Sequence, residues 1–238
     1  MKQPFVVCHM LTSLDGKIDG EFFGMPETQP ALKAYSNLRN FYHCQATLYG
    51  TTTMLGGYAD GKVSELPAVK ESPMRKDWVN PAGKDMGNFI VSVDPKGELA
   101  FSSHSLAKKG RPAAHVIEVL TEQASPEYLA YLQNLGISYL FAGEKTLNCS
   151  LLSEKLYALF GIERLMVAGG GMMNWSFLQE GLINELSLVI APVADGSTTA
   201  VSCFEKADFM PPHAPVAFRL KEAKPMDGNA LWLRYELS

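Results

Sequence analysis

Three consecutive glycines in the second half of the chain are the residues whose type and spacing point most directly to chemistry. Gly169, Gly170 and Gly171 lie between an apolar run at 164–167, which predicts a buried strand, and a segment at 172–180 that predicts a helix. Glycines let the backbone turn sharply and approach a ligand closely. A helix start offers unpaired N–H groups and the positive end of its dipole. The pattern therefore predicts a site for a nucleotide or a phosphorylated ligand; the alternative is an ordinary strand-to-helix turn.

A second group of polar residues follows the first apolar run, residues 5–11, which predicts a buried strand. The stretch 12–20 contains Asp15 and Lys17, and its two Asp-Gly pairs predict a turn-rich loop or a hairpin turn. On the residue types alone, Asp15 is a turn residue. Lys17 on the same grounds is a solvated loop lysine.

The cysteines and histidines form no metal-binding pattern. None of the four cysteines, Cys8, Cys44, Cys149 and Cys203, belongs to a C-x-x-C pair, and no His-x-x-x-His spacing accompanies them. We therefore expect no metal site. Cys8 lies in the first apolar run, which favours a core position over a reactive thiol.

Composition and charge exclude several classes of function. The 238 residues are 47% hydrophobic, enough for one large α/β domain with a full core. A net charge of −4 provides no basic field for nucleic acid. No apolar run is long enough to span a bilayer, and the N-terminus lacks the pattern of a signal peptide. We expect a cytoplasmic protein without nucleic-acid or membrane partners.

Strand and helix patterns alternate along most of the chain. Short apolar runs predict strands, and apolar residues three or four positions apart predict helices. The predicted strands are 5–11, 46–49, 89–93, 114–120, 137–141, 164–167, 185–192, 218–223 and 230–237. The predicted helices are 31–42, 125–134, 150–160 and 172–180, and residues 56–88 are predicted to form a long, partly irregular excursion.

This alternation predicts an α/β fold with a mostly parallel central sheet, helices on both faces and an antiparallel C-terminal edge. Ligands bind such sheets beyond the carboxyl ends of the strands. That rule places four parts of the chain at one rim of the sheet, namely residues 13–17, residues 50–53, Asp94 and residues 169–174.

Three segments together resemble the reductase domain of the riboflavin-biosynthesis deaminase/reductase family. The first is Ser-Leu-Asp-Gly-Lys-Ile at 13–18, and the second is Leu-Arg at 38–39 followed by Ala-Thr-Leu-Tyr-Gly-Thr-Thr-Thr at 46–53. The third is Val-Ala-Gly-Gly-Gly-Met-Met-Asn at 167–174, continued by Gly-Leu-Ile-Asn-Glu-Leu at 181–186 and Ile-Ala-Pro at 190–192. The resemblance implies a dihydrofolate reductase-like fold, with residues 1–238 as a single reductase domain.

The same resemblance implies an oxidoreductase that uses NADPH to transfer hydride to a small heterocyclic substrate. The first expected substrate is 5-amino-6-(5-phosphoribosylamino)uracil or a related ribosylamino-pyrimidine phosphate of riboflavin biosynthesis. The residues implied to bind the cofactor are Leu11, Gly50, Thr53, Gly169, Gly170, Gly171, Met172, Met173 and Asn174. Residues 170–174 would hold the pyrophosphate through backbone N–H groups, and Leu11 would line the nicotinamide side.

Three charged side chains acquire roles from the resemblance. Lys17 would bind the substrate phosphate or donate a proton as hydride arrives, and Asp15 would be a second catalytic residue. Arg39 would contact the substrate phosphate with its forked guanidinium; the alternative is an exposed helix arginine. The family further implies a homodimer.

The chain departs from the family pattern at several places. Ala168 stands where the family usually has a glutamate that contacts the pyrimidine, and Gly57 stands where an aspartate is expected. Residues 21–28 lack the usual tryptophan-containing turn, and the His-x-Glu and Pro-Cys-x-x-Cys signature of the zinc deaminase half is missing. A stand-alone reductase domain is therefore expected. The alternatives are a pterin- or folate-type reductase and a nucleotide-binding protein without turnover.

Overall fold

The computed structural model describes residues 2–69, 73–108 and 111–238, which form ten strands and six α-helices. The strands are β1 (Phe5–Thr12), β2 (Ala46–Gly50), β3 (Phe89–Val93), β4 (Ser105–Leu106), β5 (Ala114–Leu120), β6 (Ser138–Phe141), β7 (Arg164–Val167), β8 (Glu185–Ile190), β9 (Phe218–Pro225) and β10 (Leu231–Leu237). The helices are α1 (Gln29–Phe41), α2 (Thr51–Leu55), α3 (Pro81–Lys84), α4 (Pro126–Leu135), α5 (Cys149–Phe160) and α6 (Gly171–Gln179). No helix within the described ranges has the length and apolar character that crossing a membrane requires.

The helix ends follow local sequence signals, as α4 illustrates. The side chain of Ser125 accepts a hydrogen bond from the N–H of Tyr128 at 3.1 Å, and Pro126 takes the first helical position. Gly136 ends the helix at φ 75°, a left-handed conformation that favours glycine. The helix predicted at 125–134 is therefore confirmed.

The chain divides into two compact units, of which the first comprises residues 2–4 and Gln45–Glu163. In this unit β2, β3, β5 and β6 are parallel neighbours in that order, and the two-residue β4 pairs antiparallel with β5. Both β3 and β5 are buried along their whole length, the pattern of a parallel strand covered on both faces. The sequence does not predict β4, because two residues give no periodic signal.

Most of the predicted excursion 56–88 lacks regular structure apart from α3, and its residues 70–72 lie outside the described ranges. Its later part pairs with β6. Trp78 and Tyr139 exchange two backbone hydrogen bonds, each N–H donating to the other's carbonyl oxygen at 2.9 Å. Their rings stack with centroids 6.1 Å apart. This short antiparallel bridge gives β6 a backbone partner besides β5.

The second unit comprises Phe5–Cys44 and Arg164–Ser238. Its central strand, β1, lies between β7 and β8 and is parallel to both. β10 then pairs antiparallel with β8, and β9 pairs antiparallel with β10. All of β1 beyond Phe5 is buried, including Cys8, which occupies the predicted core position. The predicted α/β fold, mostly parallel with an antiparallel C-terminal edge, is confirmed.

A buried polar network joins α1 to the sheet of the second unit. His9 Nδ1 lies 2.9 Å from Ser187 Oγ, and His9 Nε2 lies 2.9 Å from the carbonyl oxygen of Tyr35. The Nε1–H of Trp232 donates to the same Ser187 Oγ at 2.9 Å. Burial lowers the pKa of His9 to about 4, so its ring is neutral at physiological pH. The histidine is a structural part of the core.

Candidate active site

The loop that carries Lys17, which we call the lysine loop (residues 13–20), is a tight turn at the carboxyl end of β1. Ser13 donates its N–H to the Lys17 carbonyl oxygen at 3.0 Å, and the Lys17 N–H donates to Ser13 Oγ at 2.9 Å. Gly16 adopts φ 79°, which a glycine accepts without strain. The backbone of Lys17 is therefore fixed, while its side chain is half-buried.

The carboxylate of Asp15 holds the lysine loop to a later part of the chain. It accepts the backbone N–H groups of Asp195 and Gly196, both at 2.9 Å, and the hydroxyl of Ser13 at 2.6 Å. The Ser13 hydroxyl and these two N–H groups hold the pKa of Asp15 well below its usual range. An ionised carboxylate has no proton to donate, so this geometry supports a positioning role for Asp15 rather than an acid role.

Residues 193–205, which we call the bridging loop, run alongside the lysine loop. The N–H of Ile18 donates to the Val201 carbonyl oxygen at 2.9 Å, and the N–H of Cys203 donates to the Gly16 carbonyl oxygen at 3.0 Å. Between these bonds, Lys17 and Ser202 form an antiparallel bridge. The bridging loop thus acts as a short extra strand beside Lys17.

The other side of the bridging loop contacts the glycine turn, residues 169–171. Gly170 has φ 76° and ψ 128°, and a Cβ on Gly171 would lie 2.4 Å from the carbonyl oxygen of Ser202. Glycine is therefore required at both positions, one for conformation and one for space. Because Ser202 is also the partner of Lys17 and paired strands lie about 5 Å apart, the backbones of Lys17 and Gly171 lie within roughly 10 Å of each other.

The start of α6 presents free backbone donors at the glycine turn. The first hydrogen bond inside the helix runs from the Asn174 N–H to the Gly170 carbonyl oxygen at 3.1 Å. No acceptor for the N–H groups of Gly171, Met172 and Met173 occurs among the described hydrogen bonds. Three adjacent donors at the positive end of a helix dipole form a cradle for phosphate oxygens.

Asn174 differs from its predicted role. Its backbone N–H is used inside the helix, so it is not one of the free donors. The side chain is fully buried, and its Nδ2 donates to the Cys203 carbonyl oxygen at 2.7 Å. Asn174 therefore attaches α6 to the bridging loop.

Apolar side chains accompany these polar groups. Leu11 lies near the end of β1 and is only 4% exposed, whereas Leu14 and Met172 are 63% and 48% exposed. Exposed apolar side chains beside backbone donors suit a ligand that combines phosphates with flat rings. Ala168, directly after β7, is buried and offers no polar group where the family has a glutamate.

Gly50 and Thr53, the other predicted cofactor residues, belong to the first unit. Gly50 ends β2 and precedes α2 without any side-chain cap, and Thr53 lies in that helix. The hydroxyl of the neighbouring Thr51 forms a hydrogen bond within the first unit, donating to the Val93 carbonyl oxygen at 2.9 Å.

Asp94 is predicted at the rim of the sheet, and its carboxylate accepts hydrogen bonds from its own loop. Its Oδ2 accepts the N–H groups of Glu98 and Leu99 at 2.5 and 2.8 Å, and the residue is 2% exposed. The carboxyl of Glu118, fully buried in β5, lies close to it. Burial and then the charge of Asp94 raise the pKa of Glu118 well above its usual range. Burial therefore favours the protonated form of Glu118, and the pair serves the interior rather than a ligand.

Arg39 lies near the end of α1. Its Nη1 donates to the Tyr35 hydroxyl at 3.4 Å in the last turn of α1. Burial raises the pKa of the Cys44 thiol to about 11, against the lowering effect of the nearby Arg164 and Arg39 charges. Arg164 is the first residue of β7, and the glycine turn follows the other end of that strand. Arg39 therefore lies close to Cys44, and its predicted contact with the substrate phosphate stays a prediction.

The bridging loop and the Asn174 amide were not identifiable as site elements from the sequence. Within residues 193–199 the sequence offers only the Asp-Gly pair at 195–196, which is a turn signal. Nothing near Cys203 indicates its two partners. Within the described ranges, no group of three or more His, Cys, Asp or Glu side chains is arranged to hold a metal ion.

Two solved structures share this fold. A RibD of Acinetobacter baumannii matches 99% of this chain with a TM-score of 0.67 at 21% identity, and the chain spans 58% of that protein's length. A pyrimidine reductase-like protein from Corynebacterium diphtheriae matches with a TM-score of 0.69 at 16% identity, over 99% of this chain and 92% of the other. At these identities the likeness establishes the fold.

Sequence comparison establishes the family. A curated relative from Methanothermobacter thermautotrophicus is 29% identical over 204 residues, covering 83% of this chain and 82% of the relative. It is named 2,5-diamino-6-ribosylamino-4(3H)-pyrimidinone 5′-phosphate reductase, in agreement with the predicted reductase class. The model of the family described as RibD C-terminal domain matches residues 4–231, which confirms the resemblance drawn from the sequence. The chain therefore belongs to the RibD C-terminal domain family.

Proposed function

We propose that this chain is an NADPH-dependent reductase of 2,5-diamino-6-ribosylamino-4(3H)-pyrimidinone 5′-phosphate or a closely related ribosylamino-pyrimidine phosphate. The family match over residues 4–231 and the name of the relative support this substrate class. The observation that carries the proposal is that one short loop lies between a fixed lysine and a cradle of free backbone N–H groups. The same match supports treating residues 1–238 as one functional domain.

The glycine turn fits the pyrophosphate of a dinucleotide. The N–H groups of Gly171, Met172 and Met173 would bind its oxygens, while Gly169 and Gly170 keep β-carbons away from it. Gly50 and Thr53, at the start of α2, are proposed as further cofactor contacts, and Leu11 as a nicotinamide neighbour. When bound, NADPH supplies the hydride that converts the opened sugar into a ribityl chain.

Lys17 is proposed as the catalytic residue. Its backbone is held on both sides, through Ser13 and through Ser202, so the side chain extends from a fixed point. It would donate a proton to the reacting sugar or hold the substrate phosphate. Asp15 is proposed to position this loop through its contacts with residues 195–196.

The experiment is to follow NADPH consumption with the ribosylamino-pyrimidine phosphate. Replacing Lys17 with alanine should lower kcat by about 100- to 10,000-fold, the usual contribution of a positioned acid or base. The matched control is Lys33→Ala, since Lys33 is an exposed lysine on α1 and should leave kcat unchanged.

Equal kcat values for wild type and Lys17→Ala would contradict the assignment of Lys17. A rise in Tm with NADPH but no consumption with any pyrimidine or pterin substrate would favour a nucleotide-binding protein without turnover.

Replacing Ala168 with glutamate tests the substrate separately, because it restores the acid that the family places against the pyrimidine. The homodimer and the cytoplasmic location implied by the family form part of the same proposal, and the mass in solution tests the dimer.

A further inference from the structure

We propose that the bridging loop couples the glycine turn to Lys17, and that Asn174 and Asp15 are positioning residues in this coupling. The catalytic consequence rests on the proposed function, whereas the mechanical link is a property of the fold. The loop bonds to the lysine loop through Val201 and Cys203, and to the start of α6 through Cys203 and Glu205.

Cys203 is bonded both to the lysine loop and to α6. Its N–H donates to the Gly16 carbonyl oxygen at 3.0 Å, and its own carbonyl oxygen accepts the Asn174 amide at 2.7 Å. Gly16 is the direct neighbour of Lys17. A displacement of the first turn of α6 therefore reaches Lys17 through a single residue of the bridging loop.

The buried amide of Asn174 is otherwise difficult to explain. The side chain is 0% exposed, and its Oδ1 has no hydrogen-bond partner among the described residues. Burying an unpaired amide oxygen is unfavourable, and an apolar side chain of similar size would avoid this penalty. The one bond that the amide makes, to Cys203, is the reason that we infer for its presence.

The contact between the bridging loop and α6 leaves little space for independent movement. A Cβ on Gly171 would be 2.4 Å from the Ser202 carbonyl oxygen and 3.1 Å from Glu205 Cβ. The Glu205 N–H donates to the Gly171 carbonyl oxygen at 3.1 Å, and Glu205 Oε1 accepts the Ser202 N–H at 2.6 Å. The residues that form the phosphate cradle and those that align Lys17 are thus in direct contact.

The beginning of the bridging loop is anchored as well. Asp15 accepts the N–H groups of Asp195 and Gly196, and the Asp195 carboxylate in turn accepts the Phe22 N–H at 3.2 Å. A Cβ on Gly20 would lie 2.5 Å from that carboxylate, so the lysine loop closes directly onto Asp195. The bridging loop is held at both ends and can transmit a displacement along its length.

The test compares Asn174→Leu with Ser176→Ala by amide hydrogen exchange in the ligand-free protein. Leucine keeps the branched shape and the number of heavy atoms of asparagine but removes the bond to Cys203. Ser176 lies on the same helix, and the bond of its hydroxyl among the described residues stays within that helix, to the Met172 carbonyl oxygen at 2.8 Å. We expect exchange at the N–H groups of Ile18 and Cys203 to be about tenfold faster in Asn174→Leu, the effect of losing one buried hydrogen bond. Ser176→Ala should match wild type.

Measuring kcat and KM separately distinguishes a positioning role of Asn174 from a general loss of folded structure. In Asn174→Leu, kcat should fall about tenfold or more while KM for NADPH changes less than about threefold, because the cradle donors remain. Unchanged exchange at Ile18 and Cys203 in a variant with a normal melting transition would overturn the coupling. Asn174→Ser replaces the leucine variant if the latter does not fold. Faster exchange in Asn174→Leu, with no NADPH consumption by wild type, would support the coupling and contradict the proposed function.

Discussion

Gly171 is the residue at which a single added carbon atom has the clearest expected effect. Replacing it with alanine puts a Cβ 2.4 Å from the Ser202 carbonyl oxygen, so the bridging loop must move. Overpacking of this kind destabilises a protein by about 1–3 kcal/mol. We expect a lower free energy of unfolding and NADPH binding weakened by about tenfold or more. Denaturant unfolding and a fluorescence titration measure the two effects.

The control is Gly24→Ala, because a Cβ on Gly24 would meet no atom within 4 Å and its φ is not positive. This variant should bind NADPH as wild type does. If the two glycine variants behaved alike, steric exclusion at the glycine turn would not be the explanation.

At the scale of secondary-structure elements, Glu185 joins α1, β8, β9 and β10. It is 2% exposed and accepts the Tyr42 hydroxyl at 2.6 Å, two bonds from Arg234 at 2.7 and 2.9 Å, and one from Lys221 at 3.0 Å. Removing Arg234 takes two charge-assisted hydrogen bonds from this buried carboxylate, while Lys221 and Tyr42 remain. Losing hydrogen bonds to a charged group destabilises a protein by about 1.5–3 kcal/mol. We therefore expect Arg234→Ala to lower the free energy of unfolding by this amount, as measured in urea.

The matched control is Arg219→Ala, on the neighbouring strand. Arg219 pairs with Glu236 at 2.6 Å, but its side chain is 71% exposed. Exposed ion pairs contribute about 0–1 kcal/mol. Similar losses in both variants would show that burial of Glu185 does not determine the effect.

At the scale of the whole molecule, the buried carboxyl of Glu118 makes the stability of the protein depend on pH. Its pKa is raised by burial and by Asp94, so the folded protein keeps a proton that the unfolded chain releases above its ordinary pKa. The contribution of Glu118 to stability is therefore complete below the ordinary glutamate pKa and is lost as the pH rises towards the folded pKa. We expect Glu118→Gln to raise Tm most at alkaline pH and to reduce its decline with pH.

The control for this prediction is Glu144→Gln, at an exposed position of the same unit. It should leave the pH dependence of Tm unchanged. A Glu118→Gln protein with the wild-type pH profile would mean that folding does not raise the pKa of Glu118.

Local patterns sufficed for the longer elements and for the glycine turn, but not for the two-residue β4. The predicted α4 depended on Ser125, Pro126 and Gly136, which act on their immediate neighbours. The partners of Asp15 are 180 and 181 residues away, so no short pattern encodes them.

The backbone pairing of Trp78 with Tyr139 has a consequence for the behaviour of the protein at high concentration. A strand with an open edge is a template for strands of other molecules and a frequent start of aggregation. By pairing at β6, the segment around Trp78 makes that edge less available to other chains. The irregular excursion is thus a safeguard of solubility, and shortening it to resemble a more compact relative would make the protein more prone to form intermolecular sheets.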